Sequence, residues 1–351
     1  MRNTVKKLRI GNTYIGGNER ITVQSMTNTL TENINDTVQQ IKELETLGCD
    51  IIRVAVPNFK AAYAIKEIKK EINIPLVADI HFNYKLAIEA IISGADKIRI
   101  NPGNIVGKDE LKKVVMSAKE RDIPIRIGIN SGSLEKSLLS KYGSPCPDAM
   151  VESALTNIKL IESMGYNKII ISIKSSDVLS TIESYTKLSK LIDYPLHIGI
   201  TESGTVRKGT IKSSIGIGCL LYKGIGDTIR VSLTGDPKEE VIVGREILKS
   251  LNLLSSGIEI VSCPTCGRCN VDLINIANEI DKRISELYTP KKIKVAVMGC
   301  VVNGPGEAKD ADLGIAGAKG EFQLFVKGAL IKKVSEEKAI DTFIEELKKL
   351  L

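Results

Sequence analysis

Short runs of β-branched apolar residues alternate with longer amphipathic stretches over the first two-thirds of the chain. The amphipathic stretches place apolar residues at helical spacing, as Val38, Ile41 and Leu44 do, and end at residues such as Gly48. Near-continuous apolar strands between helices are typical of a parallel sheet that is buried on both faces. Eight strands are expected, at residues 21–25, 51–56, 75–80, 97–101, 124–130, 168–174, 195–201 and 228–234.

Eight strand–helix units predict an α/β fold, a (β/α)8 TIM barrel over residues 1–254. An open doubly wound sheet is the competing architecture. Residues 7–17 are expected to form a small hairpin that covers the N-terminal end of the barrel. After residue 250 the regular alternation of strand and helix ends, and residues 255–351 are predicted to form a small α+β domain.

Composition limits the classes of protein to which the chain can belong. Of its 351 residues, 43% are hydrophobic and 26% charged, as in ordinary globular proteins. No apolar run approaches the roughly 18 residues of a membrane-spanning helix, and the start shows no secretory signal, so a cytoplasmic protein without a membrane partner is expected. The net charge of +7 indicates either a lysine-rich surface or an anionic ligand. No nucleic-acid partner is expected, because basic and acidic residues are interspersed.

Charged and polar side chains recur near the carboxyl ends of the predicted strands. Asp79 and His81 are two residues apart, as are Arg99 and Asn101, and side chains with that spacing share one face of a strand. The carboxyl ends of barrel strands form the mouth at which active sites of this fold lie. The whole set comprises Arg53, Asp79, His81, Arg99, Asn101, Arg126, Asn130, Lys174, Glu202, Arg230 and Ser232.

Cations dominate this set. Its anions are Asp79 and Glu202, and its cations are Arg53, Arg99, Arg126, Lys174 and Arg230. Buried cations without counter-charges are costly, so an anionic ligand is expected in the mouth. Two linked phosphates suit several cations and the planar fork of arginine. Structural ion pairs that plug the barrel are the alternative.

Three of the seven cysteines lie in the motif CPTCGRC, at Cys263, Cys266 and Cys269, and Cys300 follows later in the chain. The C-x2-C-x2-C spacing with a remote fourth ligand is typical of an iron–sulfur cluster. A structural zinc site is the alternative, although zinc ribbons usually pair two C-x2-C motifs. Disulfides are not expected, since the number of cysteines is odd and a reducing compartment is expected.

Five stretches resemble one enzyme family. VQSMTNT (23–29), KIRINPGNIVG (97–107), RIGINSGSL (126–134), SCPTCGR (262–268) and VMGCVVNGPGEA (297–308) are similar to the 4-hydroxy-3-methylbut-2-enyl diphosphate synthase family of non-mevalonate isoprenoid biosynthesis, in its compact two-domain bacterial form. The resemblance implies an iron–sulfur oxidoreductase. Its reaction reduces 2-C-methyl-D-erythritol 2,4-cyclodiphosphate to (E)-4-hydroxy-3-methylbut-2-enyl diphosphate.

The resemblance also implies roles for individual residues. It implies a 4Fe-4S cluster whose ligands are Cys263, Cys266, Cys300 and Glu307. Cys269, which spacing alone would select, is then a spare thiol. Glu202 is the expected proton donor, and Asp79 and His81 are expected beside it in the catalytic mouth. The expected substrate-binding residues are Arg53, Arg99, Asn101, Arg126, Asn130, Lys174, Arg230 and Ser232.

Partners are implied in the same way. The family uses flavodoxin or ferredoxin as electron donor and forms homodimers in which the cluster domain of one chain caps the barrel of the other. Two other classes of protein stay open from the residues alone. One is a non-redox TIM-barrel enzyme acting on a phosphorylated substrate, with a structural zinc module. The other is a nucleic-acid-binding or sensor protein that uses the cluster as a switch, for which salt-dependent binding would be diagnostic.

Overall fold

The computed structural model describes residues 4–101, 107–269, 271–285, 287, 289–300, 310–318 and 320–351. The chain divides into two compact units, Met1–Leu253 and Leu254–Leu351. Within the described ranges, no helix is both long and apolar enough to cross a membrane.

The first unit alternates strands with helices. Its strands are β1 (Leu8–Ile10), β2 (Thr13–Ile15), β3 (Thr22–Met26), β4 (Ile51–Ala55), β5 (Leu76–Asp79), β6 (Lys97–Ile100), β7 (Ile125–Asn130), β8 (Ile169–Lys174), β9 (His197–Ile198) and β10 (Thr228–Ile229). Its helices are α1 (Ile34–Thr46), α2 (Phe59–Glu71), α3 (Tyr84–Ile92), α4 (Lys108–Glu120), α5 (Lys136–Tyr142), α6 (Pro147–Glu162), α7 (Val178–Leu188), α8 (Val206–Tyr222) and α9 (Pro237–Ser250).

Eight of these strands form one sheet in the order β8-β7-β6-β5-β4-β3-β10-β9, and the pairs along it are parallel. A parallel bridge between Ile171 and Leu196 joins β8 to the segment before β9 and closes the ring. The predicted TIM barrel is therefore confirmed.

The helices form where the sequence pattern predicts them. In α1 the buried side chains include Val38, Ile41 and Leu44, which lie on the face turned toward the sheet. Side-chain caps fix the start of several helices: the Asn58 side chain accepts a hydrogen bond from the backbone N–H of Ala61, and Asp177 accepts one from Ser180. These caps hold the helices at the carboxyl ends of the strands that precede them.

The hairpin β1–β2 seals one end of the barrel. Leu8, Ile10 and Ile15 are buried in one cluster with side chains from β4, β5 and β8, which are Ile51, Val77 and Ile170. These three barrel residues lie at or near the first residue of their strands. The hairpin therefore packs into the N-terminal end of the barrel, as predicted, and we call this apolar layer the floor.

Strands β9 and β10 are much shorter than the predicted runs 195–201 and 228–234. The sequence prediction of their length is wrong: the N–H of Arg230 still donates to the carbonyl of Ile198 in β9, but beyond it side chains take the place of strand partners. The backbone N–H of Leu233 is donated to the carboxylate of Glu240 at 3.0 Å, and the carbonyl of Ser232 accepts the hydroxyl of Ser203. Both segments leave the sheet early and continue as loops at its carboxyl end.

The second unit is an α+β domain with a five-stranded mixed sheet. Strands β11 (Gly257–Ser262), β12 (Lys292–Met298) and β13 (Leu313–Ala318) are parallel, whereas β14 (Glu321–Val326) and β15 (Ala329–Ser335) continue the sheet in antiparallel order. Helices α10 (Leu273–Ser285) and α11 (Glu336–Lys348) pack on one face through a cluster that includes Ile280, Phe343, Val295 and Leu324. The predicted α+β domain is confirmed.

Candidate active site

Strand register brings the predicted cations together inside the barrel. Asp79, Arg99 and Arg126 are register partners across β5, β6 and β7, and Arg126 is paired in turn with Ile170 of the floor. Because side chains in register on adjacent parallel strands point to the same side, all of these side chains face the interior. Gly128 leaves the room that this requires, since a Cβ there would lie 2.7 Å from Nε of Arg99.

Asp79 is the anion at the centre of this group. Its Oδ1 accepts a 3.0 Å hydrogen bond from Nη1 of Arg99, and its Oδ2 lies 3.7 Å from Nη1 of Arg53. The ring of His81 is half exposed and lies 3.2 Å from Nη1 of Arg99 and 3.7 Å from Asp79. Burial raises the pKa of Asp79, but Arg53, His81 and Arg99 outweigh it and hold that pKa well below its usual range. Asp79 is therefore a carboxylate.

Two further cations face the interior without such a partner. Arg126 is 2% exposed and Lys174 is 6% exposed. Within the described ranges neither forms an ion pair, and Nε and Nη1 of Arg126 make no hydrogen bond. Burial lowers the pKa of both groups well below their ordinary values, and neighbouring arginines lower it further. A group of this kind can bind an anion directly, because its donors are desolvated and free.

Sequence reasoning missed a buried layer beneath these cations. Lys97 is fully buried, and its ammonium donates a 3.1 Å hydrogen bond to Oε1 of Gln24. His197 is also fully buried, and burial lowers its pKa well below the ordinary value. The signal for Lys97 was present, since it precedes Arg99 by two residues and so shares its face. For His197, the third residue of the predicted strand 195–201, no local pattern indicated an inward side chain.

Arg230 lies at the mouth and is tied to helix α9. Its side chain is 18% exposed, and its Nη2 lies 3.4 Å from both carboxylate oxygens of Glu240. Ser232 follows two residues later, and its carbonyl accepts a hydrogen bond from the Ser203 hydroxyl. The structure therefore connects the loop after β10 to the loop after β9.

Glu202 lies in the loop after β9 and is exposed. Its backbone has a left-handed φ of 50°, which is uncommon for a residue other than glycine. Its neighbours hold this loop, because Thr201 donates its N–H to the carbonyl of Ser175 and Thr234 donates its N–H to that of Gly204. The side chain forms no ion pair within the part of the chain that the structure describes.

The two predicted asparagines lie on neighbouring strands. Asn101 is 4% exposed and follows β6, and its Nδ2 donates to Oγ of Ser133 at 3.5 Å. Asn130 is the last residue of β7, and its carbonyl accepts from the same Ser133 hydroxyl at 3.4 Å. Ser133 therefore joins Asn101 and Asn130 at the same edge of the sheet.

In the second unit, the cysteines gather where two parallel strands end. Cys263 follows β11, and its Sγ accepts a 3.2 Å hydrogen bond from the N–H of Gly299, the residue before Cys300. Its own N–H is donated to the carbonyl of Val297 in β12. A Cβ at Gly299 would lie 2.7 Å from Sγ of Cys269. Cys263, Cys269 and the backbone leading into Cys300 are therefore close neighbours.

These thiols do not by themselves complete a metal site. No group of three histidine, cysteine or acidic side chains stands ready to hold a metal ion in the ranges that the structure covers. Glu307, the fourth predicted ligand, lies outside the described residues. A hydrogen bond from the Arg268 backbone lowers the pKa of the Cys266 thiol, which favours the thiolate form that binds metals.

Fold and site define a TIM-barrel enzyme with a cationic interior for an anionic substrate, joined to a cysteine-bearing α+β domain. The family model described as the GcpE TIM-barrel domain matches residues 5–245, and that of the GcpE protein C-terminal domain matches residues 259–349. The chain belongs to the GcpE family, as its motifs predicted.

Two curated relatives and one solved structure place the chain further. A protein of Caldanaerobacter subterraneus subsp. tengcongensis named 4-hydroxy-3-methylbut-2-en-1-yl diphosphate synthase (flavodoxin) is 61% identical over 351 residues, 100% of this chain and 98% of the relative. A protein of the same name from Clostridium acetobutylicum is 60% identical over 342 residues, 97% of each chain. A type I 3-dehydroquinate dehydratase from Clostridium difficile has a TM-score of 0.53 at 18% identity, over 72% of this chain and 98% of that chain, a likeness of fold alone.

Proposed function

We propose that this chain catalyses the reductive ring opening and dehydroxylation of 2-C-methyl-D-erythritol 2,4-cyclodiphosphate to (E)-4-hydroxy-3-methylbut-2-enyl diphosphate. The names of its relatives support the reaction. The observation that carries it is the surplus of buried cations inside the barrel. Asp79 balances part of the charge of Arg53 and Arg99, while Arg126 and Lys174 have no anionic partner in the described residues.

A diphosphate supplies the charge that the barrel lacks. Ring opening turns an internal phosphate of the cycle into a terminal one, so the ligand becomes more negative during the reaction. Buried cations that are already in position stabilise such developing charge without reorganising. In this proposal Asp79 holds the guanidinium groups of Arg53 and Arg99 in place, and Asn101, Asn130, Arg230 and Ser232 contact the remainder of the substrate.

We assign the proton donor of the reaction to a residue at the mouth of the barrel. Opening the ring and removing a hydroxyl as water takes two electrons and a proton for the departing oxygen. Glu202 is the proposed donor, because it is an exposed carboxyl without an ion pair in the described part, held in a loop that hydrogen bonds fix at both sides. His81, half exposed beside Asp79, is another titratable side chain near the carboxyl ends of the strands.

A 4Fe-4S cluster held by Cys263, Cys266, Cys300 and Glu307 is the proposed cofactor. The donor set fits, because Cys263 and Cys300 follow neighbouring parallel strands and the Cys263 sulfur already accepts a backbone hydrogen bond of the kind that tunes such clusters. When bound, the cluster supplies electrons and a Lewis-acidic iron to the substrate oxygen. A carboxylate ligand is more readily exchanged than a thiolate, which suits Glu307 to that role.

Partners are proposed in the same terms. The relatives carry flavodoxin in their names, and we propose flavodoxin, or ferredoxin, as the electron donor of this chain. We also propose a cytoplasmic homodimer in which the cluster domain of one copy caps the barrel of the other.

Metal analysis of anaerobically purified protein tests the proposal. We expect about four irons and four sulfides per chain, with absorption near 410 nm, and turnover of the cyclodiphosphate with reduced flavodoxin. Cys263→Ser should lose iron and turnover, whereas Cys219→Ser, which changes an exposed cysteine of α8, should keep both. About one zinc per chain without visible absorption would refute the reductive reaction and favour a non-redox barrel enzyme with a zinc module.

A further inference from the structure

Glu240 is a buried carboxylate whose contacts all lead toward the mouth of the barrel. It belongs to α9 and is 5% exposed. Its Oε2 accepts a 3.2 Å hydrogen bond from the Ser25 hydroxyl of β3, and its Oε1 accepts the Leu233 N–H at 3.0 Å. Both oxygens lie 3.4 Å from Nη2 of Arg230. A buried carboxylate is kept only where such partners offset its desolvation.

These contacts hold the side chain of Arg230, a proposed substrate-binding residue. Arg230 has one more guanidinium edge to offer, and its Nε makes no hydrogen bond in the described part of the chain. The Glu240 carboxylate holds Nη2 and so sets the direction in which the rest of the guanidinium points. Removing one anchor of a long side chain costs ordering entropy each time a ligand binds.

The same carboxylate orders the loops at the mouth. Its bond to Leu233 holds the chain beside Ser232, and the carbonyl of Ser232 accepts the Ser203 hydroxyl. Thr234 then donates its N–H to Gly204. A path of hydrogen bonds therefore runs from Ser25 in β3, through Glu240, to the loop that carries Glu202.

We propose that Glu240 is a positioning residue, which orients Arg230 toward the diphosphate. This role rests on the proposed function for its substrate, but the geometry applies to any anion bound by Arg230. Glu240 does not touch the ligand itself in this role. Its effect on binding therefore depends on the presence of Arg230.

A double-mutant cycle tests this dependence. Glu240→Gln, Arg230→Ala and the double variant are compared for KM with the cyclodiphosphate and, in parallel, for the Kd of inorganic pyrophosphate by calorimetry. Glu240→Gln alone should raise both constants about tenfold, the scale of a lost contact to a charged group, with a smaller change in kcat. In the Arg230→Ala background the same substitution should change them less than about twofold.

Controls separate positioning from folding and from the reaction itself. Glu239→Gln removes the same charge from the preceding residue of α9, and it should leave both constants within about twofold of those of the unsubstituted protein. If Glu240→Gln does not fold, Ser25→Ala removes one partner of the carboxylate and should shift the constants in the same direction. Equal effects in both backgrounds, or no effect of Glu240→Gln, would overturn the proposal. Failure of turnover with intact pyrophosphate coupling would instead overturn the proposed reaction.

Discussion

Replacing Arg126 with methionine should strengthen the fold and weaken the binding of anions. Arg126 is 2% exposed, and its Nε and Nη1 have no partner among the described residues. Each buried donor without a partner costs about 1–3 kcal/mol, and replacing buried charges by apolar side chains of similar volume often stabilises by about 1–4 kcal/mol. Allowing for imperfect packing of methionine, we expect the free energy of unfolding to rise by about 2 kcal/mol.

Binding should change in the opposite sense. A hydrogen bond to a charged group contributes about 1.5–3 kcal/mol, so loss of the guanidinium should weaken pyrophosphate binding about 10- to 100-fold. The assays are thermal unfolding of the full chain without ligand and calorimetric titration with pyrophosphate. For a domain of this size a gain of about 2 kcal/mol raises the midpoint by about 4–8 °C.

The control for Arg126→Met is the same substitution at an exposed arginine. Arg20 is 56% exposed and lies 2.7 Å from Asp50, and Arg20→Met should change stability by at most about 1 kcal/mol, because exposed ion pairs contribute little. If Arg126→Met instead lost about 3–5 kcal/mol, as expected when a buried ion pair is broken, Arg126 would be a structural cation. The cationic interior would then not be built for a ligand.

Four further outcomes are expected. Glu202→Gln should lower turnover by about 100-fold or more, the usual scale for general acids, with iron content and substrate affinity kept; near-normal turnover in a steady-state assay would remove Glu202 from the chemistry. Burial lowers the pKa of Lys97 and Lys174, so the unfolded chain binds more protons than the folded one. The free energy of unfolding without ligand should therefore rise with pH toward about 10. In urea denaturation this rise should be shallower for Lys97→Met, and an equal rise would contradict a lowered pKa for Lys97. Cys269→Ser should keep the full iron signature, and loss of iron in this variant would make that thiol a ligand. Gly299→Ala should destabilise the second unit by about 1–3 kcal/mol in thermal unfolding, because its Cβ would lie 2.7 Å from the Cys269 sulfur.

The barrel was predictable because its signal is local. A short run of β-branched residues indicates each strand, and few folds consist of parallel strands that alternate with helices. The inward cations were predictable for the same reason, since the period of two places Arg99 and Asn101 on one face. What the period could also have shown is Lys97, which shares that face and lies deeper.

The contacts that span the chain could not be predicted. Glu240 accepts from Ser25, 215 residues away in sequence, and no local pattern marks a helical glutamate as the partner of a strand. The loop after β10 depends on the same long-range contact, because the Leu233 N–H is donated to that carboxylate. In the second unit, β13, LGIAGA, is rich in small residues that indicate neither strand nor helix strongly, so no local pattern predicts that strand.

The apolar floor has a kinetic consequence. Ile10 and Ile15 are fully buried and pack against residues at or near the start of the strands, so this end of the barrel is closed to a ligand in the part of the chain that the structure describes. Reactant and product must then both bind and leave at the other end of the barrel, at the carboxyl ends of the strands. The linear product should therefore compete with the cyclic reactant for the free enzyme, and a turnover can begin only after the previous product has left.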